Sequence, residues 1–299
     1  MRRRFVTLDV FTSQRFAGNP LAVVLDAQGL DGAAMQAVAR EFNLSETVFV
    51  LPPEDPANRA RARIFTPMAE LPFAGHPTVG TAVLLNRIDQ ISGSRDIVLE
   101  EGIGPVRCTV EAFDQERGRA RFALARLPEP AGAAAPNAAI AAALGLEEKD
   151  IGFDKFVPGR WSAGNAFTFV PLAGLDAMRR ARAELARWSA GFGDGPGSMA
   201  YMFCGETVER GATYHVRMFA PGMGVPEDPA TGSGAAALAG VIAHFTRPPD
   251  GAHEVDIEQG LEMGRPSLIR LSMTVRDGRL VAGAIAGEAV VVSEGAIEA

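Results

Sequence analysis

Short apolar runs rich in β-branched and aromatic residues recur along the chain, each bounded by glycine, proline, asparagine or aspartate. Residues 4–9, 21–25, 47–51 and 62–65 read as strands on this pattern. Residues 33–41 read as a surface helix. Two later segments differ in kind. Residues 77–85 and 234–245 contain almost nothing charged or strongly polar. A helix that is apolar all round must be buried on every side. In a domain of half this chain's size, only a strongly curved sheet can enclose one. The predicted fold class is therefore α+β: two halves, each a curved sheet around a central apolar helix.

The halves repeat one another. Ala17-Gly18-Asn19 before an apolar run matches Ala163-Gly164-Asn165 before another. Gly29-Leu30-Asp31 and Gly174-Leu175-Asp176 each open a helix. Arg63-Ile64-Phe65-Thr66-Pro67 matches Arg217-Met218-Phe219-Ala220-Pro221. Glu70-Leu71-Pro72-Phe73-Ala74-Gly75-His76 aligns without a gap on Glu227-Asp228-Pro229-Ala230-Thr231-Gly232-Ser233. The matches keep one order and their spacing drifts slowly, which argues for a duplication. Leu127-Pro128-Glu129-Pro130 breaks regular structure, so the halves are drawn at 1–127 and 128–299, with the C-terminal strand able to join the first. Within the Ala-rich stretch 131–144, Asn137 as a cap and Gly145 as a stop predict a short helix.

Composition changes the picture mainly by exclusion. With 299 residues, 47% hydrophobic and 22% charged, the chain is ordinary globular material with room for two cores. A formal net charge of -7 speaks against nucleic acid as a partner. No apolar stretch approaches the about 18 residues of a membrane helix, and the run after Arg2-Arg3-Arg4 is broken too early for a signal peptide. The expected location is the cytoplasm. Cys108 and Cys204 lie in strand-like runs and read as buried free thiols. The four histidines show no metal-binding pairing. The glycines near Gly102 and the run from Gly191 to Gly197 lack the contexts of nucleotide-binding loops. No cofactor and no metal are assigned.

The candidate chemistry lies where polar residues interrupt apolar context. Glu46, in Asn43-Leu44-Ser45-Glu46-Thr47-Val48, reads either as a general acid–base or as an exposed residue at a helix–strand corner. His76 is a site residue or an N-terminal helix cap, Asp228 a site residue or a turn aspartate, and Ser233 a site residue or an N-cap serine. Symmetry favours function: Gly75 with His76, and Gly232 with Ser233 after Thr231, stand at equivalent helix starts where glycine lets a ligand approach the backbone. Such starts carry unpaired N–H groups and partial positive charge, a seat for a carboxylate. The segment Gln259-Gly260 with Gly264-Arg265-Pro266-Ser267 is a further candidate, or a hairpin with a solvated arginine.

Taken together, Gly18-Asn19-Pro20, Asn43 to Thr47, Glu70 to Thr78, Glu227 to Ser233 and Gly264 to Ser267 resemble the PhzF-like family of phenazine biosynthesis. The resemblance spans nearly the whole chain. It implies the diaminopimelate-epimerase-like fold, a homodimer, and a cofactor-independent isomerase whose substrate is a small carboxylated ring like trans-2,3-dihydro-3-hydroxyanthranilate. It places Glu46 as the proton shuttle and His76, Asp228 and Ser233 around it, with Asn19, Gly75, Thr231 and Gly232 binding substrate. The superfamily's racemases and epimerases carry two cysteines, and those positions here are Ala74 and Thr231, which favours a proton shift on one face of the substrate. The alternatives are a metabolite- or partner-binding protein of the same fold, and then an amino-acid epimerase. The expectation for the site is one cleft between the halves, with the four polar groups within about 10 Å. Burial beside Asp228 is expected to raise the pKa of Glu46.

Overall fold

The computed structural model describes every residue of the chain except Ser92 and Pro196. In chain order the elements begin with β1 (Arg2–Val10), β2 (Asn19–Val24), α1 (Gly32–Phe42), β3 (Glu46–Leu51), β4 (Ala60–Phe65) and β5 (Glu70–Leu71). They continue with α2 (Gly75–Ile88), β6 (Ser94–Glu101), β7 (Gly104–Ala112), β8 (Arg117–Ala123) and β9 (Glu129–Pro130). Next come α3 (Asn137–Ala143), β10 (Gly159–Ser162), β11 (Ala166–Pro171), α4 (Leu175–Arg180), α5 (Leu185–Phe192) and β12 (Ala200–Cys204). The last are β13 (Tyr214–Ala220), β14 (Val225–Asp228), α6 (Gly232–Thr246), β15 (Gly251–Gln259), β16 (Ser267–Arg276) and β17 (Arg279–Glu298). The chain forms two compact units, Met1–Ala123 with Ala286–Ala299, and Leu124–Ile285. The division falls ahead of the Leu127-Pro128-Glu129-Pro130 break, and the end of β17 joins the first unit.

In the first unit β1 pairs antiparallel with β2 and β17, β2 runs parallel to β3, β3 antiparallel to β4, and β4 parallel to β6. β6, β7 and β8 form an antiparallel meander. Because β17 pairs with both β1 and β8, the sheet closes on itself. α2 runs through the ring and touches β1, β2, β3, β6, β7 and β8. Every residue from Gly75 to Asn86 is buried, which accounts for the missing polar face in the sequence. α1 lies outside. Asp31 caps it by accepting from the Ala34 N–H at 2.8 Å, Asn43 ends it in the left-handed region, and Met35, Val38 and Ala39 pack with Phe49 and Phe65.

The second unit repeats the connectivity. β10 and β11 are antiparallel, β11 and β12 parallel, β12 and β13 antiparallel, β13 and β15 parallel, β15 and β16 antiparallel. α6 is its central helix, against β9, β10, β11 and β16, and is buried from Gly234 to Ile242. The small helices α3, α4 and α5 cover the outer face with Ile140, Met178, Trp188 and Phe192. One sequence expectation is corrected here. Asn137 is the first helical residue of α3 and Pro136 occupies the cap, because proline's fixed φ suits the turn into the helix and it has no N–H to leave unsatisfied. No helix among the described residues is long and apolar enough to cross a membrane.

Side-chain detail confirms the duplication. Arg63 makes a two-pronged ion pair with Glu70 at 2.7 and 2.7 Å and stacks over Phe65 at 5.2 Å. Arg217 does the same with Glu227 at 2.8 and 2.9 Å, over Phe219 at 4.8 Å. Fork-to-carboxylate geometry of this kind fixes the strand ends that lead into each helix loop.

Candidate active site

In the first unit, Glu46 is the first residue of β3, held by backbone pairing opposite Leu21 of β2, while Thr47 pairs with Phe65 of β4. Asn19 opens β2 at the same sheet edge and is fully buried. The Glu46 side chain is 16% exposed, so the reading as an exposed corner residue fails: most of the side chain, with Oε2, is shielded from solvent. His76 lies in the first turn of α2. The cap position is Ala74, with extended backbone and no side-chain cap, so His76 is not a helix cap. With Pro77 lacking an N–H, the amides of Gly75 and His76 remain at the helix start. His76 Nε2 lies 3.4 Å from Glu46 Oε2. Burial pushes the imidazole down to about 3, so it is neutral at neutral pH and its approach to Glu46 is no ion pair.

In the second unit, Asp228 ends β14 and is 8% exposed. Its Oδ2 accepts from Thr231 Oγ1 at 2.5 Å. Thr231 is the residue before α6, but its hydroxyl turns to the aspartate and not to the helix N–H groups, so it does not cap either. Gln259, with no exposure, braces the loop: its amide donates to the Asp228 carbonyl at 2.7 Å and to Thr231 Oγ1 at 3.0 Å, and accepts from the Thr231 N–H at 3.0 Å. Ser267 donates to the Pro229 carbonyl at 2.8 Å. Gln259 and Ser267 also pair across β15 and β16, so the segment forms a hairpin whose two ends reach the loop before α6. Ser233 is the second residue of α6 and half-buried, hence no N-cap. Gly232 lies buried beside it.

The strand registers fix which residues correspond between the units. Thr47 pairs with Phe65, and Ala200 with Phe219, inside the matched motifs. Thr47 therefore corresponds to Ala200, and Glu46 to Met199. The second half offers no carboxylate in the slot of Glu46. Tyr201, two residues beyond that slot, is fully buried under α6, where a Cβ on Gly234 would lie 2.3 Å from the ring. Its hydroxyl has no hydrogen-bond partner among the described residues, and burial, with the Asp228 charge, pushes its pKa up. Cys108 and Cys204 are free and buried, and burial holds both thiols up at about 12, far from thiolate chemistry. Gln259 was visible in the sequence as a candidate. Tyr201 was not, because a phenol within an apolar strand pattern looks like any strand residue.

Comparison with known proteins gives the family and the fold. A protein-family match, described as phenazine biosynthesis-like protein (PhzC-PhzF), covers residues 8–295. The chain is 52% identical to an uncharacterised isomerase of Mesorhizobium japonicum over 98% of both chains. It is 36% identical to trans-2,3-dihydro-3-hydroxyanthranilate isomerase of Pseudomonas aeruginosa, again over 98% of both. Among solved structures, the PhzF-family phenazine biosynthesis protein of Bacillus anthracis superposes over 100% of both chains with a TM-score of 0.90 and 27% identity.

Proposed function

Because this chain belongs to the phenazine biosynthesis-like protein family, we propose that it is an isomerase that moves a proton on a small carboxylated ring without a cofactor. Glu46 is the acid–base group. Its carboxylate takes a proton from a carbon next to an unsaturated system, the electron pair passes into that system, and the same proton returns to another carbon on the same face. Reactant and product have one formula, so no second reactant is needed. Neutral His76 holds a polar group of the substrate beside Glu46. Asp228, held by Thr231 and Gln259, and Ser233 orient the substrate's amino or hydroxyl groups from the second half. The amides of Gly75 and Gly232 hold its carboxylate, and Asn19 and Thr231 complete the binding set.

The observation that carries this reading is the single buried-edge carboxylate at Glu46 facing His76, with Met199 in the equivalent slot. Racemisation calls for a base on each face of the carbon, whereas one base suits a shift along one face. The 36% identity to a named isomerase supports the same class and suggests the first substrate to try. The test is turnover of trans-2,3-dihydro-3-hydroxyanthranilate in heavy water, followed by NMR. Wild-type protein should isomerise the ring or exchange its proton. Glu46→Gln should lower the rate by about 100-fold or more while leaving the circular dichroism spectrum unchanged. A Glu46→Gln protein with near-normal turnover would sink the mechanism. The family resemblance suggests a homodimer, which sedimentation equilibrium checks directly.

A further inference from the structure

One buried acid in the first unit has no place in the mechanism above. Glu101 ends β6 and is 8% exposed. The strand registers identify its counterpart. Arg61 pairs with Glu100 across β4 and β6, and His215 pairs with Glu258 across β13 and β15. Arg61 and His215 each stand two residues before the matched arginines Arg63 and Arg217. Glu100 thus corresponds to Glu258, and the two do the same work. Glu100 accepts from the N–H groups of Glu54 and Asp55 at 2.7 and 2.8 Å. Glu258 accepts from those of Val208 and Glu209, both at 2.7 Å. The next residues, Glu101 and Gln259, are therefore equivalent. The residues after them agree: a Cβ on Gly102 would lie 2.7 Å from Pro72 Cα, and one on Gly260 2.6 Å from the carbonyl oxygen of Pro229, the matching proline.

Gln259 braces the loop before its central helix with a permanent N–H donor. Glu101 reaches the corresponding loop through Thr78. Its Oε1 is 2.8 Å from Thr78 Oγ1, which is in turn 2.8 Å from the Ala74 carbonyl oxygen. A hydroxyl has one proton to give. If Thr78 gives it to Ala74, as a helical threonine does to the carbonyl one turn back, the proton between Glu101 and Thr78 must come from Glu101. The other carboxyl oxygen, Oε2, is buried with no hydrogen-bond partner among the described residues. An ionised carboxylate with so little support is costly.

We propose that Glu101 is a positioning residue for the His76 loop and acts as an uncharged carboxylic acid, donating to Thr78 in the slot that Gln259 fills with an amide. The role rests on the reading of Glu46 and His76 given above. The groups around Glu101 fit. On β4, Arg61 is engaged by Glu54 at 2.6 Å and Arg63 by Glu70 at 2.7 Å. On α2, His76 is neutral, and on β7, Cys108 is a protonated thiol. Glu100 beside it and Asp96 on the same strand are acidic, as is Asp55 in the loop ahead of β4. Burial pushes Glu101 up to about 8, outweighing the opposing effect of the Thr78 hydroxyl beside it. The brace is thus in place below that pH and is lost as pH rises through it.

The test is carbon NMR of the glutamate carboxyls in the full-length protein, with Glu101→Gln as the assignment control, beside pH profiles of the exchange reaction. Glu101 should titrate near pH 8. Glu101→Gln should keep kcat within about threefold at pH 7 and lose the fall in kcat above pH 8, since the amide donates at every pH. Glu101→Leu should lose on the order of tenfold in kcat at all pH values through misplacement of His76. Titration in the ordinary carboxylate range overturns the uncharged acid. Equal activity of the glutamine and leucine variants overturns the positioning role. Titration near pH 8 with exchange indifferent to Glu46→Gln supports the uncharged acid and overturns the proposed mechanism instead.

Discussion

Burial keeps His76 neutral down to about pH 3, whereas the unfolded chain takes up that proton near its ordinary value of 6.5. Between those values the unfolded state binds more protons than the folded one. The contribution of His76 to stability is therefore complete above about 6.5 and is lost as pH falls towards 3. His76→Gln should flatten this acid limb by on the order of a few kcal/mol, measured by urea unfolding from pH 7 to 4. Thr231 allows a second residue-scale prediction. Its hydroxyl receives a hydrogen bond from Gln259 and gives one to Asp228. Thr231→Val should cost about 1–3 kcal/mol in the same assay, because it leaves a buried amide donor and a buried carboxylate short of partners. Thr231→Ser should recover most of the loss. The sequence showed Thr231 as part of a loop motif but not its task. A threonine before a helix ordinarily reads as a cap, and only the nearness of Asp228 and Gln259 redirects its hydroxyl.

The elements most legible in the sequence were the two central helices. Their lack of a polar face follows from burial against strands along most of their length, and a pattern of that kind has few other physical causes. The strands at residues 4–9, 21–25, 47–51 and 62–65 were also legible, with boundaries extended in the structure by the pairing of polar end residues such as Glu46 and Asn19. The link from Glu101 to Gln259 was not, because Leu99-Glu100-Glu101-Gly102 looks like a solvated hairpin corner. It takes strand register to show that one glutamate of the pair faces out to a loop and the other faces in. Asn19 and Asn165 mark the opposite limit: the motif repeats, but Asn19 is buried and Asn165 exposed, so a matched sequence need not mean a matched environment. At this scale the contact between α6 and β12 yields a prediction. Gly234→Ala puts a methyl group 2.3 Å from the Tyr201 ring in a packed interior. It should cost about 1–3 kcal/mol, read as a lowered melting temperature. Tyr201→Phe removes only a hydroxyl without a hydrogen-bond partner among the described residues, and should leave stability unchanged or raised.

For the whole molecule, the halves share one scaffold, but the Glu46–His76 pair occurs in the first half alone among the described residues. The arginine–glutamate forks, the glycines packed on Pro72 and Pro229, and the carboxylates of Glu100 and Glu258 are shared. The residues at 46 and 199, 76 and 233, and 101 and 259 have diverged, and the middle pair stands in the first turn of each central helix. One feature of the fold also bears on how the protein is made. The second unit is continuous in the chain, but the first is closed by residues 286–299, whose strand pairs with β1 from Arg2 opposite Glu298 to Val10 opposite Ala289. A ribosome releases Glu46 and His76 early and the strand that seals their ring last. During synthesis the second unit can finish folding while α2, apolar on every side, still waits inside an unsealed sheet. Nascent chains arrested with residues 286–299 inside the exit tunnel should be cut by protease within residues 1–123 and spared within 124–285. Release of residues 286–299 from the tunnel should then protect both, so residues made early in this chain wait on residues made about 280 positions later.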